Sequence, residues 1–212
     1  MLSPWPEDRA AVSMQSQSPV PIESRALGTL SYIRASIDAA GSLAVPGLAG
    51  IVMGAIGIAA TLLSSLPPLA AQWLVIWIVA ALTAGALGGA LMARQATRNG
   101  GLLLAPLRKF LLCLCPSLLA GAVVTFLLWQ ADLEQYIPGT WLLLYGCAVI
   151  AASTTTVSRN LRLIAIMGGI FFALGCAAYV APTSAHNLLL GAGFGILHLV
   201  FGVLIGRVNH GE

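Results

Sequence analysis

His198 is the residue in this sequence best placed to do chemistry, because it is the one basic or acidic side chain set deep in a long apolar run, 187–206. An ionisable group at membrane depth is a functional hypothesis by default. A neutral imidazole can stay in hydrocarbon at small cost if it finds a hydrogen-bond partner. The run Ser153-Thr154-Thr155-Thr156 offers hydroxyls, so His198, Ser153, Thr154, Thr155 and Thr156 form the candidate polar core or ligand site. Three roles stay open for the histidine: a satisfied packing residue, a ligand contact, or a haem ligand. A b-type haem wants a second axial ligand at similar depth. His186 stands twelve residues away on the same run, about 18 Å along a helix, so only a homodimer could complete a bis-histidine site. No cofactor and no metal is expected otherwise.

The remaining reactive types are less promising. Cys113, Cys115, Cys147 and Cys176 all fall within apolar runs, and residues two apart point to different helix faces, so Cys113 and Cys115 make neither a chelate nor a redox pair. They read as small apolar packers. Arg108 and Lys109, at the start of a run, read as interfacial anchors for lipid phosphates, with Trp129 and Trp141 as aromatic anchors at the opposite interface. Ser153 lacks the Gly-x-Ser context of an intramembrane serine protease. No Asp, Glu, Lys or Arg lies mid-run, which argues against ion-coupled transport. A non-enzymatic protein is expected, with a small-molecule or lipid transporter of flippase type as the alternative.

The elements that hold these residues follow from composition. With 58% apolar residues, 8% charged and a mean hydropathy of +0.93, the chain is far from the soluble average of about 25% charged. Six apolar runs, at about 44–65, 70–92, 110–129, 139–157, 161–181 and 187–206, each approach the roughly 20 residues that span a hydrocarbon core. All ten basic residues fall on one side of the resulting zigzag. The positive-inside rule then puts both termini in the cytoplasm of a multi-pass protein of the bacterial inner membrane. The net charge of +3 serves orientation, and no nucleic-acid partner is expected. Glycine pairs four apart, Gly50/Gly54, Gly85/Gly89, Gly191/Gly195 and Gly202/Gly206, read as close helix packing of GxxxG type, with homo-oligomerisation left open.

Before the first run, residues 1–22 carry four prolines and no period, and read as a disordered tail. Residues 23–41 carry Leu27, Leu30, Ile33 and Ile37 at helical spacing, with Glu23, Arg25, Arg34 and Asp38 on other faces. This predicts an amphipathic juxtamembrane helix that lies on the bilayer, binds a cytoplasmic or membrane protein partner, or packs beneath the bundle as a plug. Residues 207–212 form a short cytoplasmic tail.

Tyr32-Ile33-Arg34 through Ala44-Val45-Pro46-Gly47, Arg108-Lys109-Phe110-Leu111-Leu112, Trp141 through Gly146, and Gly191 through Gly195 with His198 resemble an uncharacterised family of bacterial six-span inner-membrane proteins. The resemblance covers about residues 25–207 and implies an amphipathic lead helix with no assigned activity, so it transfers no functional residue. The fold expected is an all-α membrane protein, a compact bundle of six transmembrane helices preceded by a cytoplasmic-side amphipathic helix. The function expected is sensing, regulation or scaffolding through that helix.

Overall fold

A computed structural model describes residues 45–98, 104–156 and 158–210, together with Leu30. The chain divides into two units, Met1–Ile37 and Asp38–Glu212. In the first, only Leu30 is described, so the tail at 1–22 and, apart from Leu30, the amphipathic helix at 23–41 lie outside the described residues; of the tail expected at 207–212, residues 207–210 belong to the last helix and 211–212 lie outside.

The second unit is helical, and six of its helices are long and apolar enough to cross a membrane. They are α1 (Gly47–Ser65), α2 (Trp73–Arg98), α3 (Leu104–Gln130), α4 (Ile137–Ser153), α5 (Ser158–Val180) and α6. The last is one helical run in three parts, His186–Leu190, Gly191–Leu197 and His198–His210. Several helices overrun or fall short of the apolar runs: α2 continues to Arg98, α3 begins at Leu104, and α4 stops at Ser153 rather than at 157. Apolar runs end where charge begins, whereas a helix ends only where its backbone bonds do.

The breaks have local causes. Pro46 stands at the N-cap of α1, where a missing N–H costs no helical bond. The sequence Leu66-Pro67-Pro68 cannot continue α1, and the Leu66 N–H turns back to the Leu63 carbonyl at 3.2 Å. At the end of α3, Asp132 takes φ 55°, and the Leu133 N–H reaches the Leu128 carbonyl at 2.9 Å while Asp132 reaches Trp129 at 3.3 Å. That is a Schellman close with aspartate where glycine is usual.

Glycine decides which helices touch. A Cβ placed on Gly50 would lie 2.8 Å from the Gly202 Cα, and one on Gly54 would lie 2.6 Å from the Leu199 N, so α1 and α6 meet backbone to backbone. Gly146 and Gly168 do the same for α4 and α5, where a Cβ on Gly146 would lie 2.8 Å from the Gly168 carbonyl. Gly85 and Gly89 behave differently: a Cβ on either would meet nothing within 4 Å. The small-residue pair of α2 faces open space, because α2 and α3 diverge where the other neighbours close.

Gly191–Leu197 is a π-helix inside α6. Its glycines let the wider turn sit against neighbours: a Cβ on Gly193 would lie 2.6 Å from Leu142 Cδ2, and one on Gly191 would lie 2.5 Å from Thr61 Oγ1. Such π segments recur at functional sites. This one ends at His198.

Candidate functional site

The described bundle divides along its length into a half tied by polar bonds and a half that contains a cavity. In the first half, Asn187 at the start of α6 holds three helices. Its Oδ1 accepts from Ser64 Oγ at 2.8 Å and from Trp77 Nε1 at 3.1 Å, and its Nδ2 donates to the Thr61 carbonyl at 3.1 Å and to Ser65 Oγ at 2.8 Å. Both ends of the amide are satisfied, so Asn187 is a clamp rather than an open site. His186 beside it is buried, and its Nε2 lies 3.0 Å from the Ala178 carbonyl. The sequence pattern did not single out the Asn187 cluster, because its partners come from three separate runs.

His198 lies near mid-helix, and only 3% of it is exposed. The expected partners at 153–156 do not reach it. Ser153 Oγ donates to the Ile150 carbonyl at 2.7 Å, and Thr154, Thr155 and Thr156 each donate to the carbonyl three residues back. All four hydroxyls are spent closing the end of α4, the local bonding that serine and threonine favour there. The partner is instead Tyr145, two turns earlier on α4, whose hydroxyl lies 2.7 Å from His198 Nε2. The expected pairing is therefore corrected by register: about 12 Å of helix separates Tyr145 from Ser153.

Aromatic rings enclose the pair. Tyr145, Phe171 and Phe194 pack on one another at centroid distances of 4.8, 5.1 and 5.2 Å, and His198 stacks on Phe194 at 6.2 Å. His198 Nδ1 is buried and has no hydrogen-bond partner. The carbonyls of Gly193 and Phe194, in the π segment, are the backbone groups that face the ring.

On the open side of this pair lies a cavity of about 200 Å³, walled by Ala84, Gly85, Gly88 and Gly89 of α2 and by Leu111, Leu114, Cys115 and Leu118 of α3. Met53, Met92 and Met167 also line it, with Tyr145 and His198. Gly85, Leu111, Cys115 and Leu118 are exposed, so the mouth opens sideways between α2 and α3. The lining carries no charged side chain. An apolar cavity of about 150 Å³ is already large enough to hold a benzene ring.

The other expected site residues scatter. Arg108 and Lys109 are exposed at the start of α3. Trp129 is half exposed and packs on Phe126 at 6.3 Å. Trp141 is partly buried, donates its Nε1–H to Thr125 Oγ1 at 2.6 Å and lies 6.5 Å from Trp73; it ties α3 to α4 besides sitting near a helix end. Cys115, Cys147 and Cys176 are exposed and Cys113 is half-buried, so three of the four thiols face outward instead of packing between helices. Among the described residues, no group of three His, Cys, Asp or Glu converges on a metal position. A haem iron bound through Nε2 would displace the Tyr145 bond at His198 and the Ala178 bond at His186.

A scan of protein-family models, of curated proteins and of solved structures returns no match to the chain. Among the described residues the protein is all-helical, with six helices long and apolar enough to cross a membrane and an apolar cavity lined in part by Tyr145 and His198.

Proposed function

We propose that the protein is a non-enzymatic, multi-pass protein of the bacterial inner membrane, both termini cytoplasmic, that binds a small apolar or amphiphilic molecule taken sideways from the bilayer. The observation that carries this reading is the cleft between α2 and α3, where Gly85 and Gly89 leave space that a packing interface would fill. A polar transport route through His198 and the hydroxyls of 153–156 has no such support, since those hydroxyls bond their own backbone and the histidine pairs with Tyr145 instead. Binding then serves sensing or regulation rather than turnover. Residues 23–41 are the part of the chain patterned to engage a membrane surface or a protein partner.

Native mass spectrometry of the detergent-purified protein tests the reading. The wild-type chain should carry a bound small molecule, and a Gly85→Leu/Gly89→Leu variant, which fills the cleft, should lose it while keeping its helical circular dichroism. Equal retention by both proteins, or no bound molecule on the wild type, overturns the proposal.

A further inference from the structure

The cleft has a chemical bias that its size alone does not give. Apart from Tyr145 and His198 its lining is glycine, aliphatic and phenylalanine side chains, methionine, a proline and Cys115, with no lysine, arginine or acid. A carboxylate or phosphate brought there would have no counter-charge, and burying an unpaired charge is prohibitive. At the floor stand two polar groups, Tyr145 and His198, joined through the tyrosine hydroxyl and Nε2. His198 is 97% buried, taken from its 3% exposure, and its Nδ1 has no partner.

This pair has unused hydrogen-bonding capacity. If the tyrosine donates to Nε2, its oxygen keeps lone pairs that can accept, while the Nδ1–H is turned to the Gly193 and Phe194 carbonyls. If Nε2 donates, the tyrosine O–H is the spare donor. In the first arrangement a ligand hydroxyl can donate to the tyrosine oxygen, and in the second a ligand hydroxyl or carbonyl can accept the tyrosine O–H, so exchange between the two tautomers accommodates a donor or an acceptor without creating a buried charge.

We infer that the cleft selects an uncharged amphiphile, an aliphatic chain or small ring system ending in a single hydroxyl or carbonyl, and that the Tyr145–His198 pair reads this head. The inference rests on the cleft being a binding site, as proposed above. The mouth, bounded by exposed Leu111 and Leu118, admits the chain, and the π turn before His198 holds the imidazole at the cavity floor.

Photolabelling of the full chain in lipid nanodiscs separates the two claims. The probes are a diazirine-bearing dodecyl alcohol, the matching dodecanoate and the matching hydrocarbon, each at the same mole fraction. The alcohol should label peptides containing Gly85–Gly89 and Leu111–Leu118 about threefold more than the hydrocarbon does, the equivalent of about 0.6 kcal/mol for one hydrogen bond made in lipid. The dodecanoate should label least. Tyr145→Phe, which keeps the ring and its packing, should bring the ratio of alcohol to hydrocarbon labelling down to about one, and His198→Leu should do the same. Equal labelling by alcohol and hydrocarbon in the wild type overturns head recognition and leaves the cleft standing. Preference for dodecanoate overturns the uncharged class. Labelling of the cleft no greater than that of the outer α3 face for every probe removes the binding site itself.

Discussion

At the scale of single residues, Asn187 and His198 show two ways of burying a polar group in an apolar bundle. Asn187 fills its bonding capacity with four contacts to α1 and α2. His198 has one strong contact and one unpartnered nitrogen. A fully satisfied amide stabilises, whereas a half-satisfied imidazole is a standing cost that a ligand can relieve. Asn187→Leu should therefore destabilise the protein by about 1–2 kcal/mol, since it strands the Trp77 N–H and loosens Ser64 and Ser65. Denaturant titration in mixed micelles measures this, and an unchanged midpoint would refute the clamp. Neither residue's role was legible from the chain alone. His198 stood out because depth in an apolar run can be counted, but its partner depended on how far α4 slides along α6. Thr154 and Thr155 drew attention as hydroxyls, yet a hydroxyl near a helix end bonds its own backbone first.

At the scale of elements, the glycine pairs divide into those that join helices and those that keep them apart. Their spacing in sequence is identical, so no pattern could tell Gly50/Gly54 from Gly85/Gly89; what differs is the neighbour each face meets. Gly50→Ala, whose methyl would press on the Gly202 Cα, should lower the thermal unfolding midpoint. Gly85→Ala, which meets nothing within 4 Å, should leave it unchanged or raise stability by up to roughly 1 kcal/mol through better helix propensity. Parallel melting curves in detergent check the pair, and a larger loss from Gly85→Ala would reverse the assignment. The π segment was equally hidden. Its composition, GAGFGIL, reads as an ordinary glycine-rich packing face, and only the structure shows Gly191 and Gly193 set close against Thr61, Leu142 and Phe171.

At the scale of the whole molecule, the number of spans was legible because bilayer thickness converts directly into chain length, and six helices of sufficient length and hydropathy are present. The diverging α2 and α3 were not legible, since an outward-facing leucine and a cleft-lining leucine are the same letter. Orientation is a matter for experiment. In a cysteine-free background, Glu134→Cys and Ser184→Cys should react with an impermeant maleimide in intact cells, and Arg98→Cys and Arg207→Cys only after lysis; the reverse pattern would invert the topology. The sideways mouth has a thermodynamic consequence of its own. If the cleft binds as proposed, a molecule passing from bilayer to cleft would leave one hydrocarbon medium for another, so binding would gain almost nothing from water release, and surrounding acyl tails would compete for the same space. On that proposal, occupancy would be governed by abundance relative to lipid, a mole fraction rather than an aqueous concentration. A titration that dilutes the protein with more bilayer should empty the cleft even when the amount of ligand per millilitre is held constant.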